Sequence, residues 1–396
     1  DSQESGSISS FQALCTAVAS CVGSGNIVGV STAVLTGGLG AIFWMWVSAF
    51  LGMMTNYAEN YLGIKYRYQD ENGRWVGGAM VYMERGLGCK PLAIVFALCC
   101  LGASLGMGNM VQGNAMAKGL EHAFHVSPFV SGVLCTIGVA VVVTGGMKRI
   151  GGLTEKLVPF MAALYLSGAI GVLFVFRKEI PGAFALIFTE AFGLRQTVGG
   201  MAGYGVGQAI RMGIARGIFS NEAGLGSSVM AHAQSDVKEP EIQGMWGILE
   251  IFIDTMVVCT ITALVILVSG VYEPEIFQSH IAKGLEAIDG TTLTGMAFGR
   301  VIPYGEQVLA VAIVLFAFAT IVGWSYFGEQ TAYYLGGEKS AKTYRLVYSL
   351  LTLPGCMLAP QIIWEFADVL NGMMAIPNLI ALFFLGKQVQ YRKRKT

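Results

Sequence analysis

The sequence predicts an all-α integral membrane protein of about ten transmembrane helices, arranged as two inverted halves of five. Three observations predict it. Hydrophobic residues are 54% of the 396 and charged residues only 13%, with a mean hydropathy of +0.60, whereas an ordinary soluble domain is about 25% charged. Apolar stretches of spanning length follow one another along the chain, and about 20 apolar residues cross a bilayer. The first stretch is cut in its middle by Gly23-Ser24-Gly25-Asn26, and the sixth carries a second glycine-rich run, Gly203-Tyr204-Gly205-Val206-Gly207. Unpaired backbone groups at mid-membrane are tolerated only where they line a cavity or bind something. Interrupted spans at matching positions of two halves point to a transporter's binding site.

The spans are expected at 11–36, 39–64, 90–119, 128–147 and 153–176, then 198–216, 242–271, 304–335, 342–357 and 360–387. Five per half turns the second half upside down, giving repeats over 11–176 and 198–387 of one transmembrane domain. Orientation follows from the basic residues. Lys65, Arg67 and Arg74 follow span 2, Lys148, Arg149 and Lys156 follow span 4, and Lys339, Lys342 and Arg345 follow span 8. The tail 388–396 carries Arg392, Lys393, Arg394 and Lys395. All fall on one face, read as cytoplasmic, with both termini there and the protein in the plasma membrane. The opposite face carries the acidic loop Glu273–Asp289, and only Arg177 and Lys178 argue the other way.

Composition also excludes functions. Formal net charge is zero, so nucleic acid is not a partner; the bilayer is, and nothing implies an obligate protein partner. The eight cysteines lie mostly in apolar runs and the four histidines are dispersed, so they read as packing rather than metal ligands. No HExxH, paired catalytic aspartates or Ser–His arrangement supports an enzyme, and no organic cofactor is implied. No signal peptide is read. The chain opens on Asp1 rather than Met, so sequence ahead of it is expected.

The break in span 1 carries the candidate site. The half-helix before it ends on carbonyls that suit a cation; the one after it begins on N–H groups that suit a carboxylate. Ser24, Gly25 and Asn26 open that second half. Their amides and the Ser24 hydroxyl could receive a carboxylate, and Asn26 could equally cap the half-helix. Gln112, with Asn109 and Asn114 nearby in span 3, is either a ligand or an amide joining helices. Thr320 and Trp324 are spaced i,i+4 and share a face of span 8. Intramembrane charges need reasons. Glu59 lies in span 2, Arg211 and Arg216 in or beside span 6, Glu250 and Asp254 in span 7. The arginines are expected to pair with one of these acids as an intracellular gate or a structural pair, with Asn221 and Glu222 as further partners.

Longer motifs carry a family resemblance. Gly37-Gly38-Leu39-Gly40-Ala41-Ile42-Phe43-Trp44-Met45-Trp46-Val47-Ser48-Ala49-Phe50-Leu51-Gly52 resembles the signature of the sodium:alanine (alanine/glycine:cation) symporters. So do the runs from Gly213 to Gly226 and from Asn371 to Asn378. The resemblance covers essentially the whole chain and implies a LeuT-type inverted-repeat fold of the amino acid-polyamine-organocation superfamily. It implies sodium-coupled import of small amino acids, chiefly alanine and glycine, by alternating access. Members commonly carry a further N-terminal helix, which would lie ahead of Asp1. By position in such a fold, the carbonyls of Ala19, Val22 and Phe316 and the hydroxyl of Thr320 would hold sodium. Gln112 would contact substrate, Gly207 would face its amino group, and Trp324 would cap the pocket, leaving room for a hydrogen or methyl side chain. The chain departs in having Ala319 before Thr320, where two adjacent hydroxyl residues often stand. A proton-coupled transporter or an exchanger is the alternative.

Overall fold

The computed structural model describes residues 8–71, 73–193, 199–272 and 290–391. The acidic loop Glu273–Asp289 and the basic tail Arg392–Lys395 lie outside the described residues. Helix α1, Ser10–Cys21, opens on a capping box: Ser9 Oγ accepts the Gln12 amide at 3.1 Å, and the Ser9 amide donates to Gln12 Oε1 at 3.2 Å. The helix stops at Cys21, a single 3₁₀ turn occupies Ser24–Asn26, and α2 resumes over Val28–Gly37. Helix α3 covers Ala41–Tyr66 and leads into a two-stranded hairpin, β1 Tyr68–Gln69 and β2 Trp75–Val76, in register Tyr68↔Val76.

The rest is helical. α4 is Lys90–Phe124, α5 Pro128–Val143, α6 Gly146–Val175 and α7 Ile180–Ala191. α8 is Gly199–Asn221, α9 Val229–His232 and α10 Pro240–Val268. α11 is Gly290–Gly299, α12 Gly305–Met357 and α13 Pro360–Leu385. Among the described residues five helices are long and apolar enough to cross a membrane: α4, α6, α10, α12 and Ile362–Gln388.

Within α12 the backbone leaves helical geometry at Gly336 and Gly337, where Gly337 has φ +69°, between the stretches read as spans 8 and 9. Two differences from the sequence reading have physical causes. Helices α7 and α11, of 12 and 10 residues, are too short to cross and were not read as elements. α7 lies on α3, with Phe184 and Phe188 each 6.0 Å from Trp46, and α11 on α2 through a 2.6 Å contact between the hydroxyls of Ser31 and Thr294. Most important, the glycine run Gly203–Gly207 does not interrupt its helix: α8 continues through it to Asn221. The chain unwinds afterwards, between α8 and α9, where Glu222, Gly224 and Gly226 have φ of +58°, +87° and +71°.

Polarity is inverted relative to a soluble protein. Phe50, Leu134, Phe174, Ile376 and Phe383 face outward, while Glu59, Glu222, Glu250 and Asp254 are buried. An apolar exterior around buried charge fits a hydrocarbon surround.

Candidate functional site

The site is built where α1 gives way to α2. Val22 closes α1 with its amide on the Val18 carbonyl, and the next amides turn to side chains. Gly23 N donates to Asn26 Oδ1 at 2.9 Å, and Ser24 N donates to Gln112 Oε1 at 3.1 Å. The freed Ala19 carbonyl accepts Thr320 Oγ1 at 2.9 Å. Side chains from this segment, α4 and α12 thus replace part of the helical ladder, while the Asn26 and Ile27 amides turn to the Gly23 and Ser24 carbonyls. The approach is close: a Cβ at Gly23 would stand 2.3 Å from Thr320 Oγ1 and 3.1 Å from Gln112 Oε1, so only glycine fits. The Ser24 hydroxyl is buried and has no partner. Such a group costs about 1–3 kcal/mol unless something binds it.

Two wide π-helical turns aim side chains at this point. One, Gly106–Val111, immediately precedes Gln112, whose Nε2 donates to Met107 O at 3.3 Å. The other, Phe252–Cys259, carries Asp254 inward. Asp254 Oδ1 accepts Asn26 Nδ2 at 2.6 Å, and Ser220 Oγ and Thr255 Oγ1 donate to Oδ2 at 3.0 and 2.7 Å. Single π-turns inside α-helices are frequent at functional sites. Asn109 and Asn114 separate from Gln112: they donate to carbonyls of Tyr348, Gly355 and Leu358, joining α4 to α12.

The second unwound segment, 222–228, is held differently. Glu59 Oε1 accepts the Gly226 amide at 3.2 Å, and Asn378 Nδ2 donates both to Glu59 and, at 2.9 Å, to the Gly224 carbonyl. Glu222 Oε1 accepts Trp324 Nε1 at 2.7 Å, and its Oε2 accepts Ser227 Oγ at 2.6 Å. The indole is fully buried, and a Cβ at Gly108 would come within 2.4 Å of it. The first break packs on the end of α8: a Cβ at Gly25 would be 3.4 Å from Phe219 and Ser220.

The structure therefore gathers Ser24, Gly25, Asn26, Gln112, Ala19, Thr320 and Asp254 at the first break, and Glu222 and Trp324 at the second. Val22 sits at the break, and Phe316 is buried in α12 with its ring against Tyr165. Gly207 is not gathered. It is an exposed position inside continuous α8 with nothing within 4 Å of a built Cβ, and helical carbonyls are used by the ladder.

The expected gate also changes. Among the described residues Glu59, Glu222, Glu250 and Asp254 do not pair with arginine, and Arg216 pairs with Asp368 of α13, at 2.8 and 3.3 Å. Its guanidinium lies 5.0 Å from the Trp364 ring, which lies tilted against Phe219 with ring centroids 4.8 Å apart. This group lies on the α2 side of the breaks, since Gly37 at the end of α2 meets Met212 of α8. Arg211 is exposed and forms no ion pair among the described residues. Asn378, Asp368 and His232 were missed as partners. Asn378 belonged to a motif already singled out, while the two others carried no local signal.

The sodium:alanine symporter family model matches residues 1–395. The chain is 43% identical over 388 residues to an uncharacterized transporter of Haemophilus influenzae, covering 97% of this chain and 82% of that one. It is 42% identical over 389 residues to the sodium/alanine symporter AgcS of Methanococcus maripaludis, covering 97% and 83%. Its fold resembles the crystal structure of MhsT in complex with L-phenylalanine, a LeuT-fold transporter, with a TM-score of 0.66 at 16% identity over 96% of this chain and 89% of that one. On this agreement of sequence and fold the chain is a multi-pass membrane transporter, not an enzyme, and it belongs to the sodium:alanine symporter family.

Proposed function

We propose that the chain is a sodium-coupled symporter of small neutral amino acids, alanine and glycine, working by alternating access across the cell membrane. The observation that carries this reading is the junction of α1 and α12, where the Ala19 carbonyl and the Thr320 hydroxyl stand 2.9 Å apart. A set of uncharged oxygens at a half-helix end suits a hard monovalent cation. When the Thr320 proton turns away, both oxygens are free to face sodium, with the carbonyls of Val22 and Phe316 as further ligands. The substrate carboxylate is received by the Ser24 hydroxyl and the amides of Gly25 and Asn26, with Gln112 beside them. Trp324, fixed by Glu222, limits the side chain to a hydrogen or a methyl.

The ten-span, five-plus-five arrangement with both breaks near the bilayer midplane belongs to the same reading, as do cytoplasmic termini. Arg216, Asp368, Trp364 and Phe219 then close the outer path. One sodium is sufficient as driving force. A 100 mV potential gives about 2.3 kcal/mol per charge and a tenfold gradient about 1.4 kcal/mol, together enough for roughly a 500-fold substrate gradient. Sodium bound first orders the first break, so substrate binds at lower conformational cost.

The test is uptake of radiolabelled alanine into proteoliposomes with and without an inward sodium gradient. Accumulation that collapses with a sodium ionophore supports the reading. A proton-coupled carrier or exchanger is the second reading, favoured by the four buried carboxylates; uptake driven by a proton gradient in the absence of sodium would establish it instead.

A further inference from the structure

Each unwound segment has a backbone amide capped by an asparagine oxygen. At the first break Gly23 N donates to Asn26 Oδ1 at 2.9 Å, and at the second Ala223 N donates to Asn221 Oδ1 at 3.1 Å. A backbone amide only donates, so each contact fixes its asparagine with the oxygen towards the backbone and Nδ2 away from it. Both Nδ2 groups turn to α10. Asn26 Nδ2 donates to Asp254 Oδ1 at 2.6 Å and to the Asp254 carbonyl at 3.2 Å. Asn221 Nδ2 donates to Thr255 Oγ1 at 3.1 Å, and Thr255 Oγ1 passes its own hydrogen to Asp254 Oδ2 at 2.7 Å.

These bonds form one unbroken chain between the two breaks, running Gly23, Asn26, Asp254, Thr255, Asn221, Ala223. Its direction is consistent at every link. Donation runs inward from both backbone ends and stops at the Asp254 carboxylate, which accepts on both oxygens. Turning either asparagine over would face its NH2 with a backbone N–H. Ser220 Oγ, 3.0 Å from Asp254 Oδ2, ties the end of α8 to the same carboxylate. All four side chains of the chain are buried, so water does not replace a broken link. Hydrogen bonds in series polarise one another, and a contiguous network of this kind is a physical route for coupling between separate points.

We propose that Asp254, Thr255 and Asn221 are positioning residues that couple the two unwound segments, so that a ligand ordering the first break also sets the backbone of the second. They act through the Asn26 cap at one end and the Ala223 amide at the other. The identity of the ligand, sodium with a small amino acid, rests on the reading above; the coupling itself does not.

The test is amide hydrogen exchange of the purified full chain in detergent, read on peptides covering 22–27 and 222–228. Thr255→Val removes the central hydroxyl and keeps the shape of the side chain. Without ligand, exchange should quicken about tenfold in both peptides, the order of one buried hydrogen bond, and Thr255→Ser should restore wild-type rates. A residue that merely packs α10 would quicken 222–228 and leave 22–27, three bonds along the chain, unchanged. Asn221→Ala cuts the chain at its other end and should quicken 22–27 as well, which keeps the proposal testable if Thr255→Val fails to fold. Sodium and alanine together should slow both peptides of the wild type but only 22–27 of Thr255→Val. Unchanged exchange at 22–27 in either variant, no rescue by Thr255→Ser, or ligand protection of 222–228 that survives Thr255→Val would overturn the coupling. If sodium and alanine fail to slow 22–27 in the wild type, the sodium–alanine reading fails, while the ligand-free comparison still decides the coupling.

Discussion

The two unwound segments differ in what holds them. At 22–27 the backbone is met by neutral side chains, Asn26, Gln112 and Thr320, and the Ser24 hydroxyl is left without a partner. At 222–228 it is met by Glu59 and Asn378, and the one carboxylate within the segment, Glu222, is saturated by Trp324 and Ser227. The first segment therefore keeps polar capacity for a ligand, while the second has spent its own on neighbours. Unwinding alone does not make a binding site; an unsatisfied group at the unwound point does.

The largest break in that comparison comes from Gly23→Ala. Its methyl must displace Thr320 Oγ1, which stands 2.3 Å from the built Cβ. Alanine uptake should fall by about 100-fold or more, since a 1 Å misplacement in a positioned site costs that much; uptake within tenfold of wild type would remove the close approach from the account. At the second segment, Asn378→Ala strips two bonds from Glu59 and Gly224. It should lower stability by about 1–3 kcal/mol, the cost of buried groups left unpaired, with a weaker effect on alanine affinity than on the denaturation midpoint. An affinity loss without a stability loss would reverse the roles given to the two segments.

Trp324 bonds Glu222 of the second segment and lies one turn along α12 from Thr320 at the first. Trp324→Ala should admit leucine and methionine as competitors of alanine uptake, an enlargement worth about 1–3 kcal/mol in selectivity; unchanged competition would sink the steric limit. The smallest effect belongs to the Arg216–Asp368 pair, because Asp368 is 43% exposed. A double-mutant cycle on Arg216→Ala and Asp368→Ala should give a coupling of only about 0.5–1 kcal/mol in stability. A coupling of several kcal/mol would mark the pair as structural rather than a closing contact.

Much of this was legible in the sequence. The first break was, because four small or polar residues in an apolar run leave a helix no other reason to be there. Gln112 was visible as an amide in an apolar span and Thr320 as sharing a face with Trp324, while their placement at the first break came from the family resemblance. The second break was not, because glycines alone do not unwind a helix: Gly203–Gly207 stayed in α8, and the true break depends on Glu59 and Asn378, 167 and 154 residues distant from their partners Gly226 and Gly224. Asp254 was visible as a buried charge but not as the partner of Asn26, since the π-helical turn that aims it leaves no local signature. Helices α7 and α11, of 12 and 10 residues, are too short to leave a spanning-length apolar run in the sequence.

If the α1–α12 junction binds the coupling cation, the sodium half-saturation of alanine uptake must change in Thr320→Ala proteoliposomes. Loss of the hydroxyl should raise the half-saturation about tenfold, equivalent to about 1.4 kcal/mol, with alanine affinity at saturating sodium nearly unchanged and Thr320→Ser close to wild type. A wild-type sodium half-saturation in Thr320→Ala would show that the ion binds elsewhere.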